Sequence, residues 1–261
     1  MAVVIMAIGI GMPHGALDIV LGPRMARPAA FFGAYLAVAA TSVLIWLVAP
    51  VLGLVTFFAA SWFHFARGDS THHRHLGSAG PLLGMSTAGC AIGLPLALHP
   101  GIVTPVLSDL LMGTTAPTVE QVATLGRMIA CPSIVVGIVA GLAALQIRRY
   151  ASAVELLTIA VLSGVVHPLI SFALYFALWH SPRHLITLDI DTRTWARTAA
   201  ATVATLIIGT ITWRLTDPSP ATAARVVFIG LAALTGPHLV VTERLRSAVS
   251  FSGAPRALRR R

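Results

Sequence analysis

The sequence predicts an all-α fold, a polytopic bundle of transmembrane helices that forms one integral-membrane domain over residues 1–261. Hydrophobic residues make up 56% of the chain and charged residues only 10%, whereas a soluble domain averages about 25% charged residues. Apolar segments near the length of a membrane span, roughly 20 residues, recur along the whole chain. The basic residues are 18 arginines with no lysine, and most of them lie at the ends of those segments. These three observations indicate a multi-pass membrane protein.

Nine candidate membrane segments follow one another along the chain. The sixth and seventh segments meet at Val166-His167-Pro168. Because proline breaks or kinks a helix, one kinked span in place of these two, and a total of eight, is the alternative. Residues 99–120 contain three prolines and are predicted as a loop or an interfacial helix. The nine segments are about 2–21, 28–49, 51–66, 80–98, 122–147, 153–165, 167–187, 196–214 and 221–243.

The arginines predict the orientation of these segments. They follow the first, third, fifth, seventh and ninth segments, whereas the intervening connections carry only Arg214. By the positive-inside rule, this alternation places the N-terminus outside and the C-terminus in the cytoplasm of a cell-membrane protein. Eight spans would break the alternation. The net charge of +9 is therefore interpreted as a topology signal, and no nucleic-acid partner is predicted.

Other sequence features narrow the class of protein. Cys90 and Cys131 both fall in apolar segments, which argues against a disulfide framework or a thiolate metal site. The first apolar run lacks the basic start and the small-residue cleavage site of a signal peptide. The sequence has no phosphate-binding loop and no dinucleotide-binding glycine motif, so no nucleotide, flavin or nicotinamide cofactor is predicted.

Five histidines lie inside hydrophobic segments, where an ionisable group is costly and is by default a functional-site candidate. All five fall near the ends of segments that run in the same direction, so they are predicted at one depth near the cytoplasmic side. His180 and His184 are four residues apart and share one helix face. Imidazoles without cysteine favour a shared metal site, with non-haem iron first and copper or zinc as alternatives. The candidate ligands are His14, His64, His180, His184 and His238.

Carboxylates and aromatic side chains accompany these histidines along the sequence. A metal-bound histidine usually donates its second N–H group to a carboxylate or a carbonyl. Three acidic residues are predicted as such partners: Asp18, Asp69 and Glu243. Aromatic residues beside the histidines predict a tunnel for a long conjugated, lipid-soluble substrate that enters from the bilayer. They are Trp62, Phe65, Tyr175, Phe176 and Trp179.

The other five histidines are predicted to lie outside the site. His72, His73 and His75 belong to a short charged stretch, which is interpreted as a solvated or lipid-headgroup-facing loop. His99 is expected at the outer interface, and His167 on the side of the membrane opposite the main set.

Four sequence motifs resemble the Brp/Blh family, the bacterial and archaeal β-carotene 15,15′-dioxygenases. The resemblance covers nearly the whole chain and keeps the order of the motifs. The most specific motifs are the one that contains His14 and the one that contains His180 and His184. The motifs are Pro13-His14-Gly15-Ala16-Leu17-Asp18, then His64-Phe65 with Gly68-Asp69, then Tyr175-Phe176 with Trp179-His180-Ser181 and His184, and finally Pro237-His238.

The resemblance implies cleavage of β-carotene, or a related carotenoid, at its central double bond with O2, giving two molecules of all-trans-retinal. It also implies an iron(II) centre with His14, His64, His180 and His184 as ligands. His238 falls in a family motif and is expected as a fifth ligand or as a partner of one. Retinal handed over to a rhodopsin is a further expectation that follows from the product.

Three other classes of protein share some of these features. A microbial rhodopsin holds retinal as a Schiff base on lysine, and this chain has no lysine. A membrane histidine-box oxygenase or desaturase that acts on another lipid is the nearest enzymatic alternative, although such enzymes use more histidines in tighter clusters. A metal transporter is the non-enzymatic alternative, but ionisable residues would then be expected along a path and near the midplane.

Overall fold

The computed structural model describes residues 9–24, 27–186 and 191–252. Every regular element within those ranges is helical, and they contain no strand. Residues 9–11 are helical, and two short helices follow, α1 (Pro13–Ala16) and α2 (Asp18–Leu21). A π-helix, Tyr175–His180, joins α9 to α10. The remaining helices are α3 (Pro28–Val48), α4 (Pro50–His72), α5 (Ala79–Leu98), α6 (Pro100–Leu110), α7 (Val119–Gln146), α8 (Tyr150–Val165), α9 (Pro168–Leu174), α10 (Ser181–Ile186), α11 (Thr192–Leu215) and α12 (Pro220–Ser252).

Proline and capping residues determine where these helices begin. Helices α3, α4, α6, α9 and α12 each start on a proline, whose missing N–H group costs nothing in the first turn. Thr118 and Gln121 form a capping box at the start of α7. Asp191 accepts a hydrogen bond from the backbone N–H of Thr194 at the start of α11. These local signals account for the short connections between consecutive long helices.

Helix α5 occupies the centre of the bundle and packs against α4, α7 and α8. Its small residues allow this close packing, as is common between membrane helices. A Cβ atom on Gly93 would lie 2.7 Å from the backbone nitrogen of Ala130, and one on Gly126 would meet the backbone of Ala97. Helices α5 and α7 therefore pack through glycine contacts as well as through large side chains.

Six of the described helices are long and apolar enough to cross a membrane: Pro28–Val48, Pro50–His72, Ala79–Leu98, Val119–Gln146, Thr192–Leu215 and Pro220–Ser247. In α5, 72% of the most apolar stretch is buried, whereas in α3 only 6% is buried. The outer helices expose large apolar side chains such as Leu36, Leu44 and Val48, as expected for surfaces that face lipid. The predicted all-α membrane bundle is confirmed.

The predicted count of eight or nine spans is not supported. Residues 2–8 of the first predicted segment lie outside the described residues, and the rest forms short helices interrupted at Met12, just before Pro13, and at Leu17. Helix α8 has only 16 residues. The seventh segment is divided into α9, the π-helix and α10, with a proline at its start and another, Pro182, within α10. Residues 100–110, part of the predicted loop or interfacial helix, form α6.

Candidate metal centre

All five candidate histidines come together at one place in the bundle. Their positions are His14 on α1, His64 on α4, His180 at the end of the π-helix, His184 on α10 and His238 on α12. Four of the side chains are buried and His184 is half-buried. The structure therefore assembles the whole set that was predicted to share one depth.

The imidazole rings are close enough to share one ion. Ring centroids lie 4.7 Å apart for His64 and His180, 4.7 Å for His64 and His238, and 4.9 Å for His180 and His184. One nitrogen from each of His14, His64 and His238 lies within 4.8 Å of the others, and the same holds for His64, His180 and His184. His64 belongs to both groups and so lies at the centre of the cluster.

Several ring nitrogens in this cluster lack a hydrogen-bond partner among the described residues. They are Nδ1 of His64, Nδ1 of His180 and Nε2 of His238, and all three are buried. A buried polar atom left without a partner costs about 1–3 kcal/mol. Nε2 of His64 and Nε2 of His180 lie 2.9 Å apart, and an ion would remove the cost of each unpartnered nitrogen that it binds. The donor set, neutral imidazoles with no thiolate, suits iron, copper or zinc, so the residues present fit a transition-metal ion.

Backbone and hydroxyl groups orient His14. Its Nδ1 lies 2.5 Å from the carbonyl oxygen of Gly11 and 3.0 Å from Oγ of Ser181. The hydroxyl of Ser181 donates to that same carbonyl, at 2.6 Å. Because a carbonyl can only accept, Nδ1 of His14 carries the proton and donates it. Nε2 then keeps its lone pair, which is the tautomer that a metal ligand needs.

Asp18 orients His238. Its carboxylate oxygens lie 2.9 and 3.0 Å from Nδ1 of His238, and Tyr35 donates a longer bond of 3.4 Å to the same carboxylate. This arrangement leaves Nε2 of His238 as the nitrogen without a partner. Asp18 is thus placed as predicted, beside a candidate ligand. That ligand is His238, however, and not the sequence neighbour His14.

The other two predicted carboxylates contact arginines. Oδ1 of Asp69 lies 3.2 Å from Arg183, and Tyr175 donates to Oδ2 of Asp69 at 2.9 Å. Glu243 forms ion pairs with Arg67 and Arg246 near the surface. The prediction that Asp69 and Glu243 accept from ligand histidines is therefore wrong. An arginine offers a charge partner, which satisfies a carboxylate in this bundle better than a neutral imidazole.

A second buried polar cluster, the ion network, lies beside the histidines and was missed by sequence analysis. Arg183 joins Asp69, at 3.2 Å, to Glu155, at 2.6 Å, and His73 reaches Glu155 at 3.2 Å. Glu155 is the only acidic residue of its apolar segment. An intramembrane carboxylate predicts a buried partner, and that signal could have identified it.

The prediction for the histidines of the charged stretch is corrected by this network. Helix α4 continues to His72, and His73 is only 1% exposed. His72 and His75 are exposed, as predicted for a polar stretch. His73 differs because Glu155 and Ser152 on α8 satisfy its two ring nitrogens.

The two remaining histidines lie outside the cluster. Nε2 of His99 donates to the carbonyl of Gly164 at 2.8 Å, which ties the end of α5 to α8. His167 is exposed at the start of α9. Neither residue takes part in the two groups that could hold an ion.

The π-helix places His180 and His184 on the side of the chain that faces the cluster. Pro182 has no backbone N–H group, and its ring clashes with the carbonyl of the residue four positions earlier, Leu178. A locally widened turn relieves that clash, and such turns often occur at functional sites. The rings of His180 and His184 nevertheless face the same side, with their centroids 4.9 Å apart.

Gly68 permits the close approach of α4 to these two histidines. A Cβ atom at Gly68 would lie 3.0 Å from Cε1 of His180 and 3.0 Å from Nε2 of His184. These distances are shorter than ordinary van der Waals contact, so any larger side chain would displace the rings. Gly68 is one of the motif residues quoted above, and the structure supplies a physical reason for a glycine there.

The predicted tunnel aromatics have different roles. Phe65 contacts the ring of His180, with centroids 4.5 Å apart, and Phe176 contacts His14 at 5.3 Å. Tyr175 is fully buried and bound to Asp69, so it belongs to the ion network. Trp62 and Trp179 pack against the apolar core around Phe65 and Phe176. None of the five is among the described residues that line the large apolar pocket of the bundle.

Fold and site together define a class of protein, a helical membrane protein with an internal imidazole cluster that can hold a metal ion. Comparison with known proteins identifies the family. The model of the beta-carotene 15,15′-dioxygenase family matches residues 5–246, and the chain belongs to that family.

Two curated relatives extend this comparison. The beta-carotene 15,15′-dioxygenase of an uncultured marine bacterium, 66A03, is 28% identical over 257 residues, which cover 90% of this chain and 89% of that protein. The probable beta-carotene 15,15′-dioxygenase Blh of Halobacterium salinarum is 26% identical over 284 residues, which cover 90% of this chain and 81% of that protein. No solved structure gave a significant match.

Proposed function

We propose that this protein is a non-haem iron(II) dioxygenase that cleaves β-carotene at its central 15,15′ double bond to give two molecules of all-trans-retinal. The observation that carries the proposal is the cluster of five imidazoles in the interior of a membrane bundle. The names of the family and of both relatives support the reaction. The proposed ligands are His14, His64, His180, His184 and His238.

The imidazole cluster supports iron as the cofactor. The donor set contains no thiolate, and two of its members already have one nitrogen committed to an acceptor: His238 to Asp18 and His14 to Gly11. Such outer partners fix the tautomer and raise the basicity of a ligand. When bound, iron(II) supplies the one-electron chemistry that allows O2 to react with a hydrocarbon double bond.

The protein's own contribution is to bind, to orient and to exclude water. Phe65 and Phe176 pack directly on the histidine rings, so the space beside the site is apolar and suits a polyene. The overall reaction balances without a further reductant, because the central C=C bond breaks and each of its carbons gains one oxygen atom of O2 as an aldehyde. Placing the central bond beside the histidines is therefore the main task of the bundle.

The membrane setting is part of the proposal. The exposed apolar faces of the outer helices support a carotenoid that enters from the lipid bilayer, and retinal returns to the bilayer, where a rhodopsin can take it up. The arginine pattern of the sequence supports an outside N-terminus and a cytoplasmic C-terminus. The single domain of residues 1–261 provides all of the proposed ligands.

Expression in a bacterium that accumulates β-carotene tests this function. The wild-type chain should remove the orange colour and produce retinal, measured by chromatography of extracted pigments, in proportion to bound iron. His180→Ala and His184→Ala should each lose iron and retinal formation. His167→Ala is the matched control, because it removes an exposed histidine outside the cluster.

The alternatives give different results in the same cells. A desaturase or hydroxylase would change the fatty-acid profile and leave β-carotene intact, and a transporter would move metal into liposomes without any change in pigment. The proposed function is overturned if folded, iron-loaded wild-type protein produces no retinal. It is equally overturned if both alanine variants retain full activity and full iron content.

A further inference from the structure

We infer that an apolar pocket between α4, α5, α6, α9 and α12 receives one ring-bearing arm of the carotenoid; this inference rests on the proposed function. The pocket and the open space at its mouth together span about 720 Å³. It is distinct from the space between the histidine rings, and no predicted site residue lines it.

The chemistry of the pocket wall fits a hydrocarbon. Ser61 is the only residue with a hydroxyl group among the described residues that line the pocket, and no charged side chain contributes to that wall. Four phenylalanines, Phe57, Phe58, Phe172 and Phe228, supply aromatic faces. A conjugated chain that ends in a methylated ring has no polar atoms to satisfy, so such a wall binds it through burial and ring contacts alone.

One aromatic layer separates this pocket from the histidines. Phe172 lines the pocket and stacks on Phe176, with centroids 6.1 Å apart and planes tilted by 6°. Phe176 in turn meets His14 edge-on at 5.3 Å and stacks with His180 at 6.3 Å. Phe172 and Phe176 are therefore the side chains that lie between the pocket and the site.

The same helices carry both the pocket and the ligands. Ser61 lies one turn before His64 on α4, and Phe228 lies about 15 Å of helix rise before His238 on α12, at roughly 1.5 Å per residue. The pocket thus extends from the histidines along the axis of the bundle. An arm that fills it completely has a fixed depth, and this depth determines which double bond lies beside the metal centre.

A size series at Ala91 tests the inference. Ala91 is 2% exposed and lines the pocket, so Ala91→Val, Ala91→Leu and Ala91→Phe fill it step by step. The purified, iron-loaded variants are compared on β-carotene and on an apocarotenal with one intact ring and one truncated arm. Cleavage of β-carotene should fall progressively, by about tenfold or more for Ala91→Phe. Cleavage of the truncated substrate should change by less than about threefold, because its short arm does not need the full pocket.

The truncated substrate also controls for folding, because a misfolded variant would lose both activities. Ala59→Phe is the matched control, since it adds the same ring on an exposed face of α4 and should affect neither substrate. The inference is overturned if Ala91→Phe cleaves both substrates as the wild type does, or if both fall in parallel while iron content is kept. Failure of the wild type on β-carotene would instead overturn the proposed function.

Discussion

The histidine cluster and the ion network lie side by side in the same apolar bundle, and their polar atoms are satisfied in different ways. In the ion network, Arg183 lies between Asp69 and Glu155, and Tyr175 donates to Asp69. Among the histidines, Nε2 of His64 and Nε2 of His180 lie 2.9 Å apart, while Nδ1 of both rings and Nε2 of His238 have no partner among the described residues. The ion network is thus satisfied by protein groups alone, whereas the histidine cluster keeps buried nitrogens that a bound ion could satisfy.

The two clusters are also mechanically joined. Tyr175 begins the π-helix that ends in His180, and Arg183 lies between His180 and His184 in the chain. The ion network therefore holds the chain on both sides of His180, and Arg183 directly precedes His184. We expect variants of the network to lower stability whether or not metal is bound, and variants of the cluster to remove metal with little effect on the metal-free protein.

His64→Leu should have the largest effect on metal binding. His64 belongs to both groups of nitrogens that could hold an ion, and leucine keeps much of its volume without its polar atoms. Iron affinity should fall by more than about 100-fold, beyond the loss typical of outer-shell partners, and retinal formation should stop. Iron per chain, measured by elemental analysis, and retinal, measured by chromatography, report the two losses.

Thermal unfolding of the same variant separates its effect on metal binding from its effect on stability. The metal-free His64→Leu protein should be within about 1 kcal/mol of metal-free wild type, because leucine removes the unpartnered Nδ1 of His64 but also takes away the partner of Nε2 of His180, 2.9 Å away. His72→Ala, at an exposed histidine of α4, should bind iron normally. Full iron content in His64→Leu would contradict the assignment of a shared centre.

Arg183→Met tests the ion network. The variant leaves Asp69, which is fully buried, and Glu155 without their shared cation. Removing one partner of a buried ion pair costs about 3–5 kcal/mol, so the free energy of unfolding should drop by that amount in the presence or absence of a chelator. Denaturant or thermal unfolding in detergent measures the change.

An exposed ion pair provides the control for this prediction. Arg67→Met breaks the pair with Glu243, whose side chains are 50% and 31% exposed, and should cost no more than about 1 kcal/mol. Equal losses in the two variants would mean that burial does not distinguish the ion network. A loss in Arg183→Met that disappears without iron would place Arg183 in the metal centre instead.

Sequence reasoning predicted the histidine cluster because its signals are local and chemical. An imidazole in an apolar segment is rare enough to mark a site, and the arginine pattern indicated that the five histidines share one depth. The partners of Asp69 could not be predicted in the same way. They lie more than 100 residues away, on Tyr175 and Arg183, and no periodicity specifies which distant helices meet.

The number of spans was less predictable than the fold class for a related reason. Hydropathy reports how apolar a segment is. Whether the segment stays helical depends on its backbone, which proline interrupts. Proline at positions 13, 168 and 182 interrupts apolar stretches, and α8 ends after 16 residues. The burial of His73 could not be predicted from the sequence either, because it depends on Glu155 in another helix.

Gly68→Ala should have a smaller effect than Arg183→Met and should act on geometry alone. The added methyl group would lie 3.0 Å from ring atoms of both His180 and His184 and would push them away from the cluster. A misplacement near 1 Å can cost about 100-fold in rate, so turnover should fall by about that factor while the fold is kept. Gly33→Ala, where an added Cβ meets nothing within 4 Å, is the matched control and should retain wild-type turnover.

Asp18→Asn should have the smallest effect and decides the role of His238. The asparagine oxygen can still accept from Nδ1 of His238, now 2.9 Å from the carboxylate, but the negative charge that raises the basicity of the ring is lost. Iron affinity should fall about tenfold, at the lower end of the range for such partners, and Asp18→Leu, which has no acceptor, should approach about 100-fold. Asp217→Asn, at an exposed aspartate, should leave affinity unchanged. If Asp18→Leu binds iron as tightly as wild type, His238 is not a ligand and the centre has four histidines.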